Sequence, residues 1–179
     1  ATNYQLGLLK EIFPSKKIVH LIRNPRSLVI SAYAHHLKGK EKWLHAKTNR
    51  YPNSYLHELK CRSKEDGLIF ELENISARNI VNMITLQENN ELETLKLEEI
   101  SYDTSLHSAL RIGTLMGLKG VPMLNAVITI SKNSLWFGEN TKLPHVTDGT
   151  KQDLEKEWTD KLEKIFVKLF KNRDRILNY

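Results

Sequence analysis

Apolar residues recur at two different spacings along this chain, and the changes of spacing mark its elements. Tyr4, Leu8, Leu9 and Ile12 fall at helical spacing within Asn3–Phe13, and Pro14-Ser15 ends the run. Ile18-Val19-His20-Leu21-Ile22 is a compact run with β-branched residues, which suits a buried strand. It breaks at Arg23-Asn24-Pro25. Asn24 is placed to cap a helix, and Pro25 suits a first helical position because no backbone N–H is needed there. Leu28, Val29, Ala32, Tyr33 and Leu37 then form a helical stripe. Lys38 to Arg62 is polar with weak periodicity, and reads as a loop holding one or two short helices where substrate contacts can sit.

Ile75–Asn90 predicts a helix through Ile80, Met83, Ile84 and Gln87, with Ser76 or Asn74 as its cap. Leu92–Ile100 alternates apolar with charged residues and predicts a second strand carrying Leu95 and Leu97. Asp103-Thr104 is placed to cap a further helix through Leu106, Ala109, Leu110, Ile112 and Met116, which Gly117 would end. Val121–Ile130 fits helix or strand equally, and Ser131–Asp148 reads as loop. Lys151–Asn172 is the clearest helix, with Leu154, Trp158, Leu162, Ile165, Phe166 and Leu169 on one stripe. Two strands separated by helices predict parallel neighbours with crossover helices, hence a single α/β domain over residues 1–179 with a thin sheet.

Composition agrees with a globular chain: 179 residues, 40% hydrophobic and 27% charged. The one cysteine, Cys61, excludes an internal disulfide framework. No apolar run approaches the roughly 20 residues that span a bilayer. No signal peptide is visible in a sequence that begins at Ala1, and a cytoplasmic location is the expectation. The net charge of +6 is unevenly spread. Lys16–Arg62 holds eleven Lys/Arg against Glu41 and Glu58, whereas Ser63–Asp103 holds three against ten Asp/Glu. The basic block attracts a phosphorylated or polyanionic ligand, or is a solvated face without one.

Seven histidines are scattered without HExxH or Cys–His spacing, so no metal centre is predicted. No Walker A loop, no G-x-G-x-x-G loop and no G-x-S-x-G elbow occurs, and Cys61 has the surroundings of an ordinary thiol. The remaining candidate is the strand-to-helix turn. Arg23 presents a planar fork, Ser27 and Ser31 share one helical face four residues apart, and a helix N-terminus favours anions. A phosphate site is one reading; an Arg that caps a neighbouring helix or pairs with a carboxylate is the other. Trp43, Tyr51 and Tyr55 interleave with the basic block as in nucleic-acid-binding modules, but no recognised nucleic-acid motif accompanies them, so such a partner is not the leading expectation.

Arg23-Asn24-Pro25-Arg26-Ser27-Leu28-Val29-Ile30-Ser31 resembles the 3′-phosphate-binding motif of the PAPS-dependent sulfotransferases, in which a strand ends in Arg-[Asn/Asp]-Pro and a helical Ser follows eight residues after the Arg. Tyr33 supplies the aromatic that follows, and Ser27 stands in place of the usual acidic residue. Leu95–Ile100 is similar to the family's strand ending in Tyr-Glu-Asp-Leu, with Leu97 at the Tyr position. Asp103 and Ile112–Leu118 are similar to its next helix and Leu-Gly-Leu-like ending. His145–Lys151 resembles the segment with Arg-Lys-Gly that closes over the nucleotide: Gly149 matches, Thr147 and Asp148 replace the basic pair, and Lys151 offers the nearby charge. The resemblance covers this chain but only the later part of the family's domain. The opening strand and the Pro-Lys-[Ser/Cys]-Gly phosphosulfate loop have no counterpart here, and the family's catalytic His or Glu would fall at or before Ala1.

The resemblance implies a three-layer, parallel-sheet, P-loop-NTPase-like α/β fold, incomplete at its N-terminus. The implied donor is 3′-phosphoadenosine 5′-phosphosulfate (PAPS), leaving adenosine 3′,5′-bisphosphate (PAP), and the implied acceptor is a small molecule or glycan bearing a hydroxyl or amine. Arg23, Ser27, Ser31, Gly149 and Lys151 would hold the cofactor. This chain would supply the 3′-phosphate half of the site and by itself transfer nothing. The alternative is a non-catalytic member of the same fold that binds a nucleotide or an acidic glycan.

Overall fold

The computed structural model describes residues 3–14, 18–88, 92–132, 156–171 and 173–179. It is helix-rich α/β. In chain order the elements are α1 (Asn3–Ile12), β1 (Val19–Ile22), α2 (Pro25–Leu37), a 3₁₀ turn (Lys42–His45), α3 (Tyr55–Lys60), α4 (Lys64–Glu71), a π-helical segment (Leu72–Ser76), α5 (Ala77–Gln87), β2 (Glu93–Lys96), α6 (Leu97–Ser101), α7 (His107–Leu115), α8 (Gly120–Lys132), α9 (Asp160–Phe170) and a 3₁₀ turn (Arg173–Leu177). No helix among the described residues is long and apolar enough to cross a membrane. The chain divides into two compact units, residues 1–23 with 85–146, and residues 24–84 with 147–179.

In the first unit β1 and β2 pair in parallel, with Val19 opposite Glu93 and Ile22 opposite Lys96, as the alternation of strands and helices predicts. Among the described residues the sheet has these two strands. The second strand is shorter than its alternating pattern. It stops at Lys96, and Leu97–Ser101 turns helical, so Leu95 is a buried strand residue while Leu97 opens α6. Glu98 and Glu99 stand in that helix's first turn, where the positive end of the dipole favours them. The alternation of Leu95, Leu97 and Ile100 was satisfied equally by a strand that ends in a turn of helix.

Asp103 serves the next helix from a distance. The helix begins at His107, and Asp103 Oδ2 accepts the Ser108 N–H at 2.6 Å while Oδ1 accepts from Ser105 N at 2.9 Å. Gly117 ends it as predicted. Its φ is +73°, Leu118 N–H bonds Gly113 C=O and Gly117 N–H bonds Thr114 C=O, the two bonds of a Schellman ending. Val121–Ile130 resolves to helix within α8, which packs on α7 where Ala109 and Gly113 are buried and Gly113 meets Met123. α8 runs on through Ser131 and Lys132, so the predicted loop begins later than Ser131; its remainder lies outside the described residues.

His20 is the polar residue on the buried face of β1. Its ring is hydrogen-bonded by Gln87, but Nδ1 is buried with no partner among the described residues. Burial disfavours the imidazolium and lowers the His20 pKa below its ordinary 6.5. As pH falls through 6.5 the unfolded chain takes up the proton first, so stability drops toward acid. We expect a slope contribution approaching about 1.4 kcal/mol per pH unit between that point and the folded-state pKa. Urea unfolding of wild type and His20→Leu from pH 5 to 8 measures it. Parallel pH profiles for the two proteins would refute the assignment.

The second unit is built on α2. Pro25, Val29, Tyr33 and His36 form its buried face, half a step from the predicted stripe, against α3, α4 and the π segment. Tyr33 lies over Gly67 of α4: a Cβ there would stand 2.6 Å from the ring, so the glycine is what lets the two helices approach. The predicted helix start at Ile75 does not exist. Residues 64–87 are helical throughout, and neither Ser76 nor Asn74 caps. Ser76 is buried and donates to Glu71 Oε1 at 3.0 Å, whereas Asn74 donates to Phe70 C=O at 2.8 Å.

The predicted helix over Lys151–Asn172 is interrupted: residues 156–157 are helical, the pattern breaks at Trp158-Thr159, and α9 starts at Asp160, where Thr159 Oγ1 accepts the Leu162 N–H; residues 151–155 lie outside the described residues. Leu162, Phe166 and Phe170 are buried and Ile165 half-buried, while Leu169 of the predicted stripe is exposed. Leu154 lies outside the described residues.

Candidate functional site

Asn24 caps α2 as the sequence predicts. Its Oδ1 accepts from Arg26 N–H at 2.9 Å and Ser27 N–H at 3.2 Å, and its carbonyl accepts from Leu28 N–H at 2.9 Å. With Pro25 carrying no N–H, the first-turn amides are already bonded. The first-turn amides are therefore not open to an anion. An anion at this turn gains the dipole's field, and its hydrogen bonds must come from side chains.

Ser27 and Ser31 lie on α2 in the second unit, both half-buried and one turn apart, and no hydrogen bond of either hydroxyl is found among the described residues. The same row continues to His35, whose Nε2 stands 3.4 Å from Glu41 Oε1. Arg23 follows β1 directly, is half-buried, and belongs to the first unit. Gly149 and Lys151 lie outside the described residues. The site residues that the structure brings together on one element are thus Ser27 and Ser31.

Arg26, a second guanidinium at this turn, is committed elsewhere. Its Nε donates to Glu163 Oε2 at 3.0 Å and its Nη2 to Glu163 Oε1 at 2.7 Å, while the guanidinium lies 4.5 Å from the centre of the Phe166 ring. Trp158 Nε1 donates to the same carboxylate at 2.6 Å. The Arg26 hydrogen bonds, outweighing partial burial, hold the Glu163 carboxyl below its ordinary range.

At the other end of α2 lies a polar network that sequence reasoning missed. Glu71 is fully buried at 0% exposure; its Oε2 accepts from His36 Nδ1 and from the Tyr55 hydroxyl, each at 2.7 Å, and its Oε1 accepts from Ser76. With the carboxylate accepting, His36 carries its proton on Nδ1. Burial, and then the Glu71 charge, push the Tyr55 phenol well above its ordinary range, so Tyr55 stays a donor. Trp43, Tyr51, Tyr55 and Phe70 pack edge to face or tilted around it, with Tyr55–Phe70 centroids 5.1 Å apart. On the outer side Glu41 accepts from Trp43 Nε1 at 2.6 Å, which lowers its pKa, and lies 4.0 Å from His36 Nε2.

Two local irregularities build this network. The π segment carries Ala77 N–H to Leu72 C=O, one residue further than an α-helix, and so brings Ser76 around to Glu71. Ser54, at φ +90°, caps α3 through His57 N–H and delivers Tyr55 inward. The signal in the sequence is Glu71 itself, a carboxylate at helical spacing among Leu68 and Leu72. His36 is nine residues beyond Ser27, about two and a half turns at 3.6 residues per turn, so the two point to opposite sides of α2. Glu71 and His36 therefore lie across α2 from Ser27, and the row of Ser27, Ser31 and His35 meets the network only at its outer edge, through Glu41. Among the described residues no group of three or more His, Cys, Asp or Glu is arranged to hold a metal ion.

Compared with family models, with curated proteins and with solved structures, the chain matches none of them.

Proposed function

We propose that this chain is the 3′-phosphate-binding part of a sulfotransferase-like protein of three-layer, P-loop-like α/β fold, with PAPS as donor and PAP as product. The carrying observation is the parallel strand β1 ending at Arg23-Asn24-Pro25, a cap on Asn24, and Ser27 and Ser31 in a row on the helix that follows. A phosphate needs a guanidinium fork and hydroxyl donors, since the capped amides are not available to it. Arg23 is assigned the fork by its place at the end of β1, where the resemblance puts the family's Arg; Arg26, the other guanidinium of this turn, is held by Glu163. Ser27 and Ser31 supply hydroxyls, and the α2 dipole adds a favourable field. Gly149 and Lys151 are assigned to the nucleotide on the strength of the family resemblance alone.

The chemistry of the whole reaction is attack of an acceptor hydroxyl or amine on the donor's sulfur, with the bisphosphate leaving. The residues assigned here grip the far end of the nucleotide and touch neither the sulfur nor the acceptor, so they determine donor affinity rather than the transfer step. Calorimetry of PAP binding tests the reading. Arg23→Ala is expected to weaken binding by about 1.5–3 kcal/mol, the worth of a charge-assisted hydrogen bond. Equal affinity of the two proteins for PAP, or no heat with wild type, would sink it.

A further inference from the structure

Arg26 is held by a carboxylate and faces two aromatic rings at once. The residue sits in the first turn of α2, where a positive side chain opposes the helix dipole and gains nothing from the helix itself. The compensating carboxylate comes from α9: Glu163 grips the guanidinium with two parallel bonds of 3.0 and 2.7 Å. The guanidinium also faces two rings, at 4.5 Å from Phe166 and 5.9 Å from Trp158, and Trp158 is itself bonded to Glu163. The pair is half-buried, and Phe166 beneath it is fully buried. At its own end, Arg26 gives its backbone N–H to Asn24, the cap of the proposed phosphate turn. One residue therefore joins that turn to the first turn of α9.

The first turn of α9 is held by few other polar ties. Among the described residues, Thr159 Oγ1 donates to Glu65 Oε1 at 2.6 Å, and the exposed Lys161 reaches Asp66 at 2.8 Å and Glu65 at 3.6 Å. Exposed pairs such as the latter contribute little. The bidentate, ring-stacked Arg26–Glu163 pair is the strongest of these links by geometry.

We propose that Glu163 is a positioning residue for the phosphate turn: through Arg26 it fixes the start of α2, so that a nucleoside 3′-phosphate bound there and the docked first turn of α9 stabilise one another. This inference rests on the reading under Proposed function. It opposes a second possibility at the same residues, in which an arriving phosphate draws Arg26 away from Glu163 and loosens α9. The locked geometry favours the first, because release would give up both hydrogen bonds and the ring contacts together. Coupling of this kind is reciprocal: what α9 does for the ligand, the ligand does for α9.

The experiment is amide hydrogen exchange with and without PAP, alongside calorimetry of PAP, on wild type and on the paired variant Arg26→Leu with Glu163→Leu. The paired change removes the clamp without altering net charge beside the turn, which separates positioning from simple attraction of the anion. In wild type, PAP should slow exchange in the first turn of α9 as well as in α2. The paired variant should bind PAP about tenfold more weakly and lose the slowing in α9. If the paired variant fails to fold, Glu163→Gln is read by the same two measurements, with the same loss of slowing expected. Wild type that binds PAP without any slowing in α9, or a clamp-free variant that binds equally or more tightly, overturns the clamp alone. Wild type that binds no PAP overturns the proposed function, and the clamp's ligand with it.

Discussion

Glu71→Ala is expected to lower stability by about 3–5 kcal/mol, the cost of removing one partner from a buried charged network. Three donors end on that carboxylate, from His36, Tyr55 and Ser76, and all three residues are buried. Each would be left buried and unpaired, and the truncated side chain leaves a cavity as well. Tyr55→Phe removes one donor and leaves the carboxylate two, so it should cost far less. Urea unfolding followed by circular dichroism separates the two variants. A loss under about 1 kcal/mol for Glu71→Ala would mean that water replaces the carboxylate, contrary to its complete burial. Because Glu71 and His36 lie on the side of α2 away from Ser27, the proposed function expects a folded Glu71 variant to bind PAP as wild type does, which distinguishes this centre from the proposed site.

Phe166→Ala is the second large effect, also about 3–5 kcal/mol for deletion of a fully buried aromatic ring. The Phe166 ring lies 5.5 Å from Trp158 and 4.6 Å from Phe170, and carries the Arg26 guanidinium on its face. Phe170→Ala, at the far end of the same buried stripe, should also destabilise, since that ring is buried too. The two differ in acid. Glu163 titrates below its ordinary 4.5 because Arg26 bonds it in the folded state, so its stabilisation is present above that value and is lost as pH falls through the lower, folded-state pKa. Removing Phe166 takes away the surface on which Arg26 rests, and this acid-sensitive increment should shrink. Removing Phe170 leaves it in place. Unfolding free energies at pH 3 to 6 report the difference; identical acid profiles for the two variants would show that the ring does not support the ion pair.

Several elements were legible because a single local cause sufficed for each. Asn24-Pro25 starts α2 whatever surrounds it, since the side chain reaches the Arg26 and Ser27 amides within the same turn. Gly117 ends α7 because a left-handed residue is needed there and glycine takes that conformation without strain. The parallel pairing of β1 and β2 followed from helices lying between them. The misreadings have equally specific causes. Ser76 has the chemistry of a cap, but a buried glutamate one π turn earlier offered its hydroxyl a better acceptor. Leu97 continued the alternation of a strand, while two glutamates behind it favoured the start of a helix. Thr159 divided a long helical pattern because its side chain bonds Leu162 N–H and donates to Glu65 on a different helix.

By itself the sequence determined the strand-to-helix turn at Arg23–Pro25, the Ser27–Ser31 row, the Leu162–Phe166 buried face of the C-terminal helix and the parallel relation of the strands. Each depends on residues within a turn or two of one another, or on the order of elements along the chain. Only the tertiary structure decided that Arg26 is held by Glu163, for the two are far apart in sequence and no local rule pairs them. It likewise decided that Glu71 is a hub rather than a surface charge. His36, Tyr55 and Ser76 come from three different segments, and their meeting depends on the packing of α2, α3 and the π segment, a long-range fact that periodicity does not carry.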